Sequence, residues 1–251
     1  MQPHYAFTCG GVDLKVTFTA PLFMEDLKLL SRPVNYLTYS VAARDGREHE
    51  VEVYFEASPR WALDQPYQQS ASKGYEADGL LYLKSGSKEQ NILAKQGDDL
   101  RIDWGYFYMV AGKENTAYSV GNSTELRKNF VNGTLNSASL EGEDSNGNMA
   151  LVRSHGKVKN VTDKIMLGYD DIYSIQYFGT NLRPYWNSKG DRTIEAEMLA
   201  AYNEYDKLLA RCYAFDKKLM EDASAAGGKE YAELCALAYR QSIAAHKLVE
   251  A

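Results

Sequence analysis

The feature that most constrains the fold of this 251-residue chain is a change in composition near residue 190. All six prolines and 17 of the 19 glycines lie at or before that point, whereas 14 of the 27 alanines lie in the last 61 residues. Proline and glycine favour turns between strands, while alanine favours helices. The sequence therefore predicts a β-rich part at residues 1–172, an aromatic joint at 173–190 and a helical part at 191–251.

The first part has the alternation that is typical of strands. Apolar side chains at Val12, Leu14, Val16 and Phe18 alternate with polar ones, the period of a half-buried strand. Further strands are predicted at Tyr36–Ala42, Glu50–Phe55, Leu80–Leu83, Leu100–Met109, Met149–Val152 and Lys164–Tyr169. Because no long helical pattern separates them, these segments predict a large, mainly antiparallel β-sandwich.

Two connections in this part carry turn chemistry. Asp45-Gly46 is a typical hairpin dipeptide, so Tyr36–Ala42 is expected to pair with the strand that follows it. Residues 132–148 form the longest polar run and are predicted to be an exposed loop. A calcium loop is the weaker interpretation of this run, because Met149 stands where such a loop needs glycine.

After residue 190 the apolar side chains recur every three or four residues, which predicts helices. The first stripe is Ile194, Met198, Tyr202, Tyr205, Leu209, Cys212 and Leu219, and the second is Tyr231, Leu234, Cys235, Ala238, Ser242, Ala245 and Leu248. The segment 223–228, which ends in two glycines, is expected to end the first helix, so the two would form an antiparallel αα-hairpin. Their apolar stripes must dock on the sandwich, on another chain or on helices absent from this sequence, and self-association is one outcome.

Charge and composition exclude several classes of protein. The net charge of −6 removes the electrostatic basis for binding nucleic acid. No apolar stretch approaches the roughly 18 residues of a membrane span. Three scattered cysteines do not make a disulfide framework. The 19 tyrosines suit half-buried sheet surfaces, and also ligands with polar and apolar parts.

The familiar catalytic motifs are missing or isolated. Ser-x-x-Lys occurs at Ser70 and at Ser85, but both matches fall in expected connections and lack partner motifs. The histidines show no metal-ligand spacing, and His49 and His155 are expected to be solvated. The sequence therefore predicts no metal and no cofactor, and leaves the catalytic residues unknown.

The densest group of functional side chain types lies at the joint. It runs from Tyr169 to Gly179 and on to Trp186, and contains the pair Asp170-Asp171. Adjacent residues of a strand point to opposite faces, so this pair cannot act as a facing acid and base, and neither can Asp98-Asp99. The joint either binds a polar ligand or holds the two parts of the chain together with its aromatic rings.

Four segments resemble the microbial glutaminase A family. They are Leu29–Tyr39, Val51–Ser58, Gly168–Gly179 and Leu234–Gln241. The resemblance implies a β-sandwich followed by a toroid of six helical hairpins, of which this chain would hold only the first. It also implies a periplasmic or secreted enzyme that hydrolyses L-glutamine to L-glutamate and ammonia.

On this resemblance the chain is expected to be an inactive fragment of the full enzyme, cut from a longer protein. Asp170, Arg183 and Trp186 are the expected contacts to the ammonium, the carboxylate and the stem of an amino acid amide. Two alternatives stay open: a carbohydrate-active enzyme, since sandwich-plus-toroid architecture also occurs in glycosidases, and a non-catalytic module that binds a glycan or a partner.

Overall fold

The computed structural model describes residues 1–98, 100–135, 144–244 and 246–250. Its strands are β1 (His4–Cys9), β2 (Val12–Thr19), β3 (Val34–Ala43), β4 (His49–Ala57), β5 (Ser70–Ala77), β6 (Leu80–Ser87), β7 (Tyr106–Gly112), β8 (Thr116–Gly121), β9 (Asp144–Ser145), β10 (Asn148–Val158), β11 (Asn160–Asp170), β12 (Ile175–Tyr177) and β13 (Thr180–Leu182). Its helices are α1 (Leu27–Ser31), α2 (Ser123–Val131) and α3 (Ile194–Ala244), with short 3₁₀ helices at Pro59–Ala62 and Tyr185–Asn187.

The strands form a sandwich of two unequal sheets. The large sheet has the order β1-β2-β3-β11-β7-β6-β5-β9, and the small sheet has the order β4-β10-β8. A separate hairpin pairs β12 with β13. The pairings within the described ranges are antiparallel. The predicted, mainly antiparallel β-sandwich is confirmed.

The large sheet is the middle layer and is buried on both faces. Leu81 and Leu83 pack toward the small sheet, while Leu80 and Tyr82 pack toward α3. The same division holds for further adjacent pairs: Leu37 and Tyr36, Phe107 and Tyr108, Ile165 and Met166. Central strands that are covered on both faces have continuous apolar sequences. This explains why apolar and polar residues alternate clearly only in β2, near the edge of the large sheet.

The first helical stripe docks on the large sheet. Met198, Tyr205 and Cys212 are buried in the same cluster as Tyr36 and Tyr82. Of the three docking partners that the sequence left open, the structure therefore shows the sandwich for this part of the stripe. Helix and sheet share one hydrophobic core.

Tyrosine hydroxyls add polar bonds to this contact. Tyr36 donates to the carbonyl oxygen of Ala201 at 2.9 Å, and Tyr75 donates to Oε1 of Glu195 at 2.7 Å. Tyr82 reaches the carbonyl oxygen of Glu195 at 3.4 Å. Several tyrosines are thus explained by the sheet surface and its helix, with no ligand.

The helical part turns back on itself at Gly228, whose φ of 82° and ψ of −175° are not helical. The ring centroids of Phe215 and Tyr239, on either side of it, are 5.2 Å apart. In one straight helix these residues would be about 36 Å apart, so the arms 194–227 and 229–244 lie against each other. The expected end across 223–228 was wrong in extent, because helix continues to Gly227. Ala245 lies outside the described residues.

One predicted strand pairing is wrong. β3 pairs with β2 and β11 in the large sheet, whereas β4 pairs with β10 in the small sheet. The Asp45-Gly46 turn therefore carries the chain from one sheet to the other. Turn chemistry encodes the local reversal but not the partner of each strand.

Smaller differences concern element type and length. The two Ser-x-x-Lys matches begin in β5 and β6 and not in connections. The strand expected at Leu100–Met109 begins at Tyr106, and α2 was not predicted. Asp99 and residues 136–143 of the predicted loop lie outside the described residues. In the described ranges, no helix is both long and apolar enough to cross a bilayer.

Candidate functional site

A cleft of about 670 Å³ lies where the joint meets the end of α3. Three segments line it: the region of α1, the joint after β11, and the residues that end and follow α3. The lining residues are Leu22, Met24, Leu30, Ser31, Pro33, Asn35, Tyr169, Asp171, Ser174, Pro184, Trp186, Ser242, Ile243, Ala244, His246, Lys247 and Leu248. An apolar cleft with a few converging polar groups is the usual form of a small-molecule site.

The backbone at the floor of this cleft is strained. β11 ends at Asp170, and two residues later Ile172 has a φ of 60°. A β-branched side chain rarely adopts this left-handed conformation. The amide of Tyr173 donates to the carbonyl oxygen of Asp171 at 2.5 Å, which tightens the same turn. Strain of this kind concentrates at functional sites, so the turn marks the cleft as a candidate.

Asp171 is the charged centre of the cleft. Its side chain is buried, and its Oδ2 accepts hydrogen bonds from Ser174 Oγ at 2.7 Å and from Lys247 Nζ at 2.9 Å. The Lys247 side chain is 53% exposed. A fixed carboxylate thus faces an ammonium group on a flexible stem, a pair that matches the two charges of an amino acid.

Trp186 forms a fixed wall of the cleft. It lies in the 3₁₀ helix Tyr185–Asn187 and is buried. The amide of Tyr185 donates to the carbonyl oxygen of Leu248 at 2.9 Å, and Pro184 forms a β-bridge with Val249. These bonds hold the wall against the residues after α3. Trp186 therefore lines the cleft, and its predicted contact with a substrate stays a prediction.

Asp170 lies outside the lining of the cleft. Its Oδ1 accepts a hydrogen bond from the amide of Ile172 at 3.0 Å, and it serves the turn. Burial raises the pKa of Asp170, and the negative charge of Asp171 adds to this, although Arg183 opposes it. The carboxylate that enters the cleft is that of its neighbour.

Arg183 also lies outside the lining. Its Cζ is 4.7 Å from the ring centroid of Tyr173, and its Nη2 donates to the hydroxyl of that tyrosine at 3.4 Å. The structure thus brings Trp186, but neither Asp170 nor Arg183, to the cleft surface. The expected substrate contacts of these three residues stay a prediction.

Aromatic side chains also bond the joint to the sandwich, which is one half of the alternative interpretation of its rings. Trp104 Nε1 donates to the carbonyl oxygen of Tyr173 at 2.9 Å. Tyr169 donates to the carbonyl oxygen of Trp104 at 2.6 Å, and burial raises the pKa of this tyrosine. The same segment therefore both bonds to the sandwich and lines the cleft.

Two histidines expected in solvent are hydrogen bonded. His155 Nε2 lies 2.8 Å from the Tyr39 hydroxyl, and His49 Nε2 lies 3.0 Å from Asp45 Oδ1. In the cleft, His246 Nδ1 lies 2.5 Å from the carbonyl oxygen of Ser242. Because a carbonyl oxygen only accepts, Nδ1 is the donor of this hydrogen bond.

Sequence reasoning missed Ser174 and Lys247 as site residues. Asp171 and Ser174 are three positions apart, a spacing at which an aspartate and a serine often hydrogen bond in turns and helix caps, so this local pattern could have indicated their contact. Lys247 has no such signal, since 76 positions separate it from Asp171. Among the described residues, no three His, Cys, Asp or Glu side chains are grouped so that they could hold a metal ion.

Comparison with known proteins shows a matching family and a similar protein. Residues 2–222 match a family described as "Domain of unknown function (DUF5127)". The protein Glutaminase A of Aspergillus oryzae (strain ATCC 42149 / RIB 40) is 27% identical over 254 aligned positions, which cover 94% of this chain and 36% of that relative. The chain thus spans about a third of the relative's length, and the predicted resemblance is confirmed.

Proposed function

Because the chain belongs to the DUF5127 family and is similar to Glutaminase A, we propose that it forms part of a glutaminase-like amidohydrolase. The observation that carries this proposal is a similarity that extends over 94% of the chain. The complete protein would hydrolyse L-glutamine to L-glutamate and ammonia. Since the chain spans about a third of its relative, this activity is proposed for the longer protein.

In this proposal the cleft recognises the amino acid end of the substrate. Asp171 receives the α-ammonium group, Lys247 receives the α-carboxylate, and Trp186 packs against the methylene stem. The support is geometric: Asp171 and Lys247 are 2.9 Å apart and satisfy each other in the free cleft. A zwitterion inserted between them would give each charge a new partner.

Hydrolysis itself is assigned to groups beyond this chain. The reaction needs an activated water or nucleophile and a proton donor for the departing ammonia. In the described lining, the Ser174 hydroxyl donates to Asp171 and is not paired with a histidine. The two arms of α3 are proposed as the first of the six hairpins of a toroid, whose later hairpins would complete the active site.

Calorimetric titration with L-glutamine tests the assignment of the cleft. Asp171→Asn keeps the shape of the side chain but removes its charge, so the Kd should rise about tenfold or more, as a lost charged hydrogen bond predicts. Asp222→Asn is the matched control, because it changes an exposed aspartate that pairs with Lys218 outside the lining and should leave the Kd nearly unchanged. Equal effects of the two variants, or no binding by the wild-type chain, would argue against the assignment.

Glycan binding is a second candidate, favoured by one observation. Trp61 is 66% exposed and stacks on Phe107, with ring centroids 5.5 Å apart. A supported, exposed indole face can pack against a sugar ring. Saturable binding of a glycan that is lost in Trp61→Ala would favour this role, whereas no binding across a broad glycan panel would exclude it.

A periplasmic or secreted location is proposed on the same family resemblance. Fractionation of the native host, with detection of the protein by antibody, tests it. Recovery in the cytoplasm would contradict this location.

A further inference from the structure

The hairpin of β12 and β13 ends in two exposed aromatic rings, here called the aromatic tip, Tyr177 and Phe178. Tyr177 pairs with Thr180, which leaves Phe178-Gly179 as a two-residue loop. Phe178 has a φ of 43° and Gly179 a φ of 80°. Two positive φ values in a two-residue hairpin loop are the signature of a type I′ turn.

Phenylalanine is a costly residue at this position. Type I′ turns favour Asn or Gly at the first central residue, because other side chains are strained at positive φ. In addition, 91% of Phe178 is exposed, and Tyr177 is 52% exposed. Their ring centroids are 4.5 Å apart, so the two rings pack on each other. In the described structure, the two rings contact each other and stay largely exposed.

The base of the hairpin that carries the aromatic tip lies beside the cleft. The amide of Ser174 donates to the carbonyl oxygen of Leu182 at 2.9 Å and closes the base of the hairpin, while its hydroxyl holds Asp171. Pro184, two positions after β13, forms a β-bridge with Val249. Any polypeptide that continues past Val249 therefore emerges beside this hairpin.

We propose that the aromatic tip docks in an apolar recess of the polypeptide that follows this chain in a longer protein. Two observations point to this partner: the chain spans 36% of its relative, and Val249 lies at the foot of the hairpin. Burial of the two rings would repay the strain at Phe178. This inference rests on the part of the proposed function that places the chain in a longer protein.

Hydroxyl-radical footprinting, read by mass spectrometry, tests the docking. The oxidation rates of Tyr177 and Phe178 are compared in this chain and in the protein encoded by the full reading frame. Docking predicts that both rates fall about fivefold or more in the longer protein, as for rings in the core of an interface. Tyr67, which is 82% exposed on the sandwich, is the internal control and should keep its rate.

Equal rates at the aromatic tip in both proteins would overturn the proposal, and so would a reading frame that stops at Ala251. Protection that appears in the 251-residue chain as its concentration rises would identify a second copy as the partner instead. Ammonia release by the longer protein is recorded in parallel. If the rings are protected but no ammonia is released, the glutaminase activity is contradicted and the docking is not. If ammonia is released but the rings are not protected, the docking is contradicted and the glutaminase activity is not.

The variant Phe178→Asn gives a second measurement. Asn suits the type I′ turn, so the Tm of this chain should rise by about 2 °C. In the longer protein the same variant should lower the Tm of the sandwich, because a docked ring is lost. An equal rise in both proteins would contradict docking.

Discussion

Asp171 and Lys247, 76 positions apart in the sequence, are joined by a 2.9 Å hydrogen bond from Nζ to Oδ2. The carboxylate is buried and fixed by Ser174, whereas the ammonium group ends a side chain that is 53% exposed. One partner is therefore positioned and the other can move. This asymmetry suits a site that opens for a zwitterionic ligand and closes around it.

Lys247→Gln should weaken binding of L-glutamine about tenfold, because it removes a charge but keeps a hydrogen-bond donor for Asp171. The free energy of unfolding should fall by about 1 kcal/mol, because the buried Asp171 loses a charged partner but keeps a hydrogen-bond donor. Lys113→Gln is the matched control, since it breaks the exposed pair with Glu76 outside the cleft. An unchanged affinity in Lys247→Gln, measured by calorimetry, would remove this lysine from the site.

Gly168 sets the distance between the large sheet and α3. A Cβ at this position would lie 2.2 Å from Met198 Cε and 2.5 Å from the carbonyl oxygen of Pro33. Gly168→Ala should therefore lower the free energy of unfolding by about 1–3 kcal/mol, the usual cost of overpacking. Urea denaturation measures the change.

Gly121→Ala is the control for this effect. In β8 the added Cβ would find Leu126 Cδ2 at 3.9 Å, an ordinary contact. The stability of this variant should stay the same or rise slightly. If Gly168→Ala were equally well tolerated, α3 would not be packed on the sheet as described.

The stability of the sandwich should depend on pH through His155. Burial lowers the pKa of His155 below its usual value, and the positive charge of Arg153 adds to this, although Asp163 opposes it. Below the unfolded pKa of about 6.5, the unfolded chain binds the proton more readily than the folded chain does. The contribution of neutral His155 to the free energy of unfolding is therefore fully present above about pH 6.5, and it is lost as the pH falls below the unfolded pKa and then through the lower folded pKa.

His155→Gln should reduce the dependence of the unfolding free energy on pH below about pH 6.5, the pKa of an unperturbed histidine. His4→Gln changes an exposed histidine that is bonded to Thr17 and serves as the control. Denaturant titrations at several pH values give the slopes. The same slope in wild type and His155→Gln would contradict the account.

The spacing of apolar residues correctly predicted individual strands and helices, because that spacing depends on one element alone. The strand β2 and the helical stripe through Met198 and Cys212 were both predicted from the pattern of a single element, and both elements are confirmed. The pairing of β3 depends on β11, which lies more than a hundred positions away. No local turn signal at Asp45-Gly46 encodes that choice.

For a similar reason, the sequence predicted the segment that forms the candidate site but not all of the residues that line it. The aromatic and acidic joint was visible in the sequence, and Trp186 lies in the cleft. Which of Asp170 and Asp171 enters the cleft depends on where β11 ends and on the strained turn at Ile172. Lys247 reaches the site only because the second arm of α3 folds back, a tertiary event.

The second arm of α3 should drive self-association of this chain. Tyr231, Leu234 and Leu237 are 47%, 61% and 49% exposed and lie on one arm. The double variant Leu234→Lys and Leu237→Lys should lower the concentration-dependent mass seen by light scattering, because neighbouring apolar side chains on a surface favour association. Val131→Lys, at an 81% exposed residue of α2, is the control. If the double variant associates as the wild type does, another surface is responsible.

Ammonia release from L-glutamine tests the central claim most directly. It is measured side by side for this 251-residue chain and for the protein encoded by its full reading frame. The account predicts release by the longer protein and none by this chain, because the cleft described here binds the amino acid but leaves hydrolysis to later residues. A longer protein that releases no ammonia would contradict the glutaminase assignment, and release by this chain alone would contradict the division of labour.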